Sequence, residues 1–156
     1  MTTCKVFPPS LSSRVQVVVP LVCPAVSLGG TVLTARKTAG HTKGTTTWTL
    51  DETDGGKTVH VVIVGSPNVN PGYKLVGNTA YPQIAGDYRQ EFQILKSLPC
   101  DIFLGAHGAY FGMNAKYDRW KAGDHDAFID PKGYKSYIAD REQAFETEFR
   151  RQSGGH

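Results

Sequence analysis

Apolar residues recur along this chain at two periods, and the change from one to the other separates strands from helices. Val26-Ser27-Leu28 and Thr31-Val32-Leu33-Thr34-Ala35-Arg36 flank Gly29-Gly30, which predicts a hairpin. A second hairpin is predicted from β-branched and aromatic residues at 45–50, a polar loop at 51–56 ending in Gly55-Gly56, and a continuous run at 58–64. The centre of that run, Val61-Val62-Ile63-Val64, predicts burial on both faces. Past a loop at 65–78 rich in Pro, Gly and Asn, the period lengthens. Ile84, Tyr88, Phe92 and Leu95 fall on one helical face, with Asp87 near the start and Pro99 enforcing the stop. A short strand is predicted at 101–105. The last helix starts at Pro131 with Asp130 as its N-cap, shows an inner stripe of Tyr134, Ile138, Phe145 and Phe149, and ends at Gly154-Gly155. Strands followed by helices, without repeat or linker, predict one layer pair of an α/β sandwich.

Residues 1–26 do not share this order. Lys5 and Arg14 precede the apolar run at 15–22, and Cys23-Pro24-Ala25 follows it, a loose imitation of a secretory signal. The run is short, contains Pro20 and lacks a clean small-x-small site. Three readings stay open: a signal peptide, a β-strand with irregular flanks, or a stretch with no evolved role. The apolar stretch at 15–28 is too broken by Pro20 and Pro24 to predict a membrane span.

Composition changes this picture only by exclusion. With 156 residues, 40% hydrophobic and 20% charged, the chain is large enough for one domain with a core. The net charge of +3 is spread without a block, and the aromatics sit in core patterns, so no nucleic-acid partner is expected. Cys4, Cys23 and Cys100 are too far apart to specify a disulfide framework or a zinc knuckle, and they leave the compartment open. Cys100, beside the strand at 101–105, reads as a small core residue.

The candidate chemistry lies in two glycine-flanked turns. Gly40-His41-Thr42-Lys43-Gly44 and Gly105-Ala106-His107-Gly108 each place one histidine after an apolar run, where a backbone can turn sharply and present an imidazole off the end of a sheet. The other histidines carry less. His60 falls early in a strand and reads as a half-exposed or hydrogen-bonded residue. Asp124-His125-Asp126 reads as a solvated turn, because adjacent side chains on a loop do not converge on one point. His156 ends the chain in a tail at 153–156 expected to be disordered.

These turns belong to a longer pattern. Gly40-His41-Thr42-Lys43-Gly44-Thr45-Thr46-Thr47-Trp48, then Val64-Gly65-Ser66-Pro67-Asn68-Val69-Asn70-Pro71-Gly72-Tyr73-Lys74-Leu75, then Tyr81-Pro82, Asp87-Tyr88 and Ala106-His107 follow in order. Over residues 27–152 the chain resembles the C-terminal half of the metallo-β-lactamases of the third subclass. Gly-His-Thr-x-Gly is shared with glyoxalase II-like thioesterases of the same fold, and the segment at 66–75 points to the subclass.

The resemblance implies an α/β fold, the C-terminal half of an αββα sandwich, with a mixed sheet and helices on one face. It implies two zinc ions, with His41 the last ligand of one and His107 a ligand of the other. It also implies that a hydroxide held between the metals opens the β-lactam ring, since zinc makes water a nucleophile at neutral pH. Ser66, Asn68 and Tyr73 match positions that line the substrate pocket. Members are typically exported, so a periplasmic or secreted location is implied, without a convincing signal peptide.

The family's His-x-His-x-Asp-His cluster has no counterpart in these 156 residues. One imidazole per zinc remains where a catalytic site needs three protein ligands, so weak or partial zinc occupancy and an inactive isolated chain are expected. A sheet lacking its other half also exposes an apolar face. The alternatives are a hydrolase completed by a partner or by homodimerisation, and a non-catalytic binding or structural module.

Overall fold

The computed structural model describes residues 4–5, 25–28 and 30–154; the segment at 6–24, including its signal-like run, and His156 lie outside them. Among the described residues six strands form one sheet in sequence order: β1 (Cys4–Lys5), β2 (Ala25–Leu28), β3 (Thr31–Lys37), β4 (Thr46–Asp54), β5 (Lys57–Val64) and β6 (Ile102–Gly105). The pairs from β2 to β5 are antiparallel, whereas β1–β2 and β5–β6 are parallel. The sheet is therefore mixed, and α1 (Ile84–Ser97) is the crossover that makes the last parallel pair possible. Two further helices follow, α2 (Met113–Lys121) and α3 (Pro131–Gln152).

The first hairpin forms as its sequence predicts, with Leu28 opposite Thr31 and Gly30 at φ 95°. The second is tighter than expected. Residues 51–54 are not loop: Asp51, Glu52, Thr53 and Asp54 pair with His60, Val59, Thr58 and Lys57. Only Gly55 and Gly56 turn, at φ 55° and 79°, the two left-handed residues that let a two-residue turn match the twist of its strands. Polar side chains at the exposed end of a hairpin satisfy a ladder as well as apolar ones, so hydrophobicity understated the strand.

Alternation along β4 and β5 divides the sheet into two unlike faces. Val62, Val64 and Phe103 turn one way and are 0–1% exposed. They meet Ile84, Tyr88, Phe92 and Leu95 of α1 and Tyr134, Ile138 and Phe145 of α3, the stripes predicted for both helices. Lys116 of α2 reaches the same side, over the ring of Phe103. Trp48, Ile63 and Leu104 turn the other way in register and stay partly exposed. Burial of the Val61–Val64 run on both faces is therefore not what forms: Val61 is 9% exposed, Ile63 more, and no helix covers this face among the described residues.

Local signals fix the helix ends. Asp130 caps α3 by accepting the Gly133 N–H at 2.8 Å. It also pairs with the nearly buried Lys116 ammonium at 2.9 Å, joining α2 to α3. Burial alone would raise the Asp130 pKa; hydrogen bonds from Lys116 and Gly133 outweigh it and hold the carboxyl below its ordinary value. No helix among the described residues is long and apolar enough to cross a membrane.

Candidate metal centre

Three loops leave the sheet at one edge. Strands β5 and β6 run parallel with Val64 opposite Gly105, and the Ala106 N–H donates to the Val64 carbonyl at 3.0 Å. The loop beginning Gly65-Ser66 and the turn carrying His107 thus emerge side by side. Strand β4 starts at this edge in the opposite sense: a side chain at Gly65 would come within 2.7 Å of the Thr46 carbonyl oxygen. The turn at 38–45, which carries His41 between β3 and β4, therefore opens onto the same edge.

His41 is held firmly. Its Nδ1–H donates to the Asn68 carbonyl at 2.8 Å, and its ring stacks on Tyr73 with centroids 5.3 Å apart. A carbonyl can only accept, so the proton sits on Nδ1 and Nε2 keeps its lone pair. This is the arrangement by which a carbonyl orients a metal-binding imidazole. The Tyr73 hydroxyl lies 3.5 Å from that Nε2. The turn is pinned elsewhere too: Lys43 donates to the Ala80 carbonyl at 2.9 Å, and the buried hydroxyls of Thr38 and Thr47 meet at 3.0 Å.

Asn68 faces inward as much as outward. Its carbonyl accepts from His41 and from the Tyr88 hydroxyl at 2.7 Å, while its Oδ1 accepts from Arg141 of α3 at 3.3 Å. Gln152 anchors the same loop by donating to the Tyr73 carbonyl and accepting from the Leu75 N–H, both at 2.7 Å. Ser66 lies 3.3 Å from the Tyr110 hydroxyl.

His107 is held loosely by comparison. Its backbone is extended, at φ −128° and ψ 138°, and it caps a 3-10 turn (Gly108–Phe111) without a side-chain hydrogen bond. The ring is exposed and touches the edge of Tyr110 at 5.1 Å. Among the described residues it finds no hydrogen-bond partner. His60 instead bonds to Asp51, and His125 is exposed beside a turn that Arg119 and Asp124 close. No three His, Cys, Asp or Glu side chains among the described residues gather closely enough to hold a metal ion.

Glu91 is the residue that sequence reading missed. It is 0% exposed, and neither carboxylate oxygen has a hydrogen-bond partner. It lies directly beneath the histidine turn: a side chain at Gly40 would sit 2.6 Å from Glu91 Oε2 and 2.8 Å from the Tyr88 ring. Desolvation pushes its pKa up to about 9, so the carboxyl is neutral at pH 7. A signal was available, because Glu91 stands seven residues after Ile84 and four before Leu95, on the buried stripe of α1.

This mixed sheet, with helices on one face and two histidine turns at one strand edge, is the architecture of half a metallo-β-lactamase sandwich. No protein-family model matches the sequence. Among solved structures, native FEZ-1 metallo-β-lactamase from Legionella gormanii is 50% identical, with a TM-score of 0.80 over 83% of this chain and 49% of that one. BJP-1, a subclass B3 metallo-β-lactamase of Bradyrhizobium japonicum, is 34% identical with a TM-score of 0.75 over 83% and 49%. The class B3 di-zinc enzyme LRA-12 from an Alaskan soil metagenome is 30% identical, at 0.69 over 79% and 47%. The chain is a relative of the B3-type metallo-β-lactamases that spans about half the length of the structures it matches, consistent with their C-terminal half.

Proposed function

We propose that this chain is the C-terminal portion of a zinc-dependent β-lactam hydrolase, in which His41 and His107 each give one imidazole to a different zinc ion. The observation that carries the reading is the fixed tautomer of His41, whose unprotonated Nε2 stands at the sheet edge from which Ser66 and His107 also emerge. Ser66, Asn68 and Tyr73 belong to the pocket wall. Asn68 acts through its backbone, by orienting His41, and Tyr73 by stacking on it.

The residues described do not by themselves fit a catalytic zinc. Two imidazoles stand where each metal needs three protein ligands, and nothing nearby completes either set. No ring-opening step is therefore assigned to the isolated chain. A complementary half packed on the open sheet face would supply the missing ligands to both turns. A second copy of this chain is the alternative occupant of that face, and a non-catalytic module is the alternative role.

Complementation tests the reading. The isolated chain should bind less than one zinc at roughly micromolar affinity and leave a chromogenic cephalosporin intact. Produced together with the half of the FEZ-1 polypeptide that it does not match, it should turn the substrate over in a chelator-sensitive manner. His41→Ala and His107→Ala should each abolish that turnover. Full activity in either variant would overturn the assignment, and chelator-sensitive turnover by the chain alone would establish the homodimer instead.

A further inference from the structure

Along the helix-facing side of β3 and β4, where α1 stops short of covering them, lies a groove of about 320 Å³. Its floor is the even-numbered row of β3 meeting the odd-numbered row of β4: Thr34 pairs with Thr49, and Arg36 with Thr47. Leu98 and Pro99, at the end of α1, supply an apolar wall.

Two features of this groove exceed what a hairpin needs. The first is the rigidity of His60. Its ring Nδ1 lies 2.8 Å from Asp51 Oδ1, its backbone N–H donates to Asp101 Oδ2 at 2.9 Å, and its carbonyl accepts the Asp101 N–H at 2.8 Å. The ring nitrogen nearest the carboxylate donates, which fixes the ring in the groove wall. The second is a separation of charge. Arg36 reaches over Thr49, its Nε–H 3.4 Å from the Thr49 hydroxyl. No carboxylate among the described residues lies within ion-pairing distance of it. Asp51, two residues further along β4, keeps its second oxygen open, with 68% of its side chain exposed. Two residues of strand separate the cationic from the anionic end by about 7 Å.

We propose that this groove is a second binding site, for a small amino carboxylate. The ligand's carboxylate meets the Arg36 guanidinium, whose planar fork suits that group. Its ammonium meets the open oxygen of Asp51, beside the ring of His60. The threonine hydroxyls contact its polar edge, and Leu98 and Pro99 cover its methylenes. The site is independent of the zinc reading and would stand if that reading fell.

Titration of the full chain with 4-aminobutyrate, followed by NMR, tests this. The Arg36 Nε–H and His60 ring signals should shift saturably, with a dissociation constant on the order of millimolar. Butyrate and butylammonium, each lacking one charge, should bind at least about tenfold more weakly, and glycine, too short to span both ends, likewise. Arg36→Gln should erase the preference over butylammonium, and Asp51→Asn the preference over butyrate. Thr49→Val, which leaves both charges in place, should keep both preferences. Equal affinity for all four probes, shifts that never saturate, or unchanged preferences in the two charge variants would overturn the proposal.

Discussion

On one face of the sheet Val62, Val64 and Phe103 lose all or nearly all contact with solvent beneath α1 and α3, while on the other Trp48, Ile63 and Leu104 remain partly exposed. The backbone ladder is the same for both, and so is the residue chemistry. What differs is the second layer. Apolar side chains contribute to folding only as far as something removes them from water, so half the apolar potential of β4, β5 and β6 is unrealised within the described chain. This partial exposure accompanies a match that spans about half the length of the B3-type structures.

The largest test contrasts a residue on each side. Phe92 is 0% exposed and packs against Tyr88 and Phe145, with centroids 6.4 and 5.8 Å away. Phe92→Ala should cost about 3–5 kcal/mol in urea unfolding, enough to leave little folded chain. Ile63→Ala, on the open side, should cost less than about 1 kcal/mol. Equal losses would mean that the open face is covered in solution.

Glu91 is the flaw on the covered side, and pH exposes it. Its folded pKa is raised from 4.5 to about 9, so across that window the folded state holds a proton that the unfolded state has released. Stability should therefore fall as pH rises through this range, at a limiting slope of about 1.4 kcal/mol per pH unit. Glu91→Gln keeps the shape and removes the ionisation. It should flatten the profile of melting temperature against pH and stabilise the chain most at the alkaline end. A wild-type profile that is already flat would mean that a partner for the carboxyl exists in solution.

How legible all this was in the sequence depended on whether a residue's neighbours were local. The first hairpin, the stripe of α1 and the Asp130-Pro131 start of α3 follow from local spacing alone, and each formed as predicted. Helix α2 was missed although Met113, Tyr117 and Trp120 recur at the helical spacing of four and three; that stripe is 45–49% exposed, and the residue α2 buries is Lys116. The two histidine turns were legible as turns, through their glycines. Their difference was not, since His41 is braced by Asn68 and Tyr73 from a distant loop while His107 has no such brace among the described residues. Glu91 hid because an acid on a helix is usually solvated, although its place on the stripe of α1 and the approach of Gly40 both put it inside.

The smallest effect on stability should distinguish the two faces most sharply. Ile63→Thr together with Leu104→Thr removes apolar surface from the open side and leaves β-branched residues there, which suit a strand. Unfolding free energy should change by less than about 1 kcal/mol, because little burial is lost. Binding of an apolar fluorescent dye should drop, and so should any concentration-dependent association, since both require the exposed patch. In the presence of a complementary half the same double substitution should weaken assembly, as those side chains would then face a real second layer. A variant that loses stability but not dye binding would place the exposed apolar surface elsewhere, with Tyr117 and Trp120 of α2, stacked 5.9 Å apart, as the next candidates.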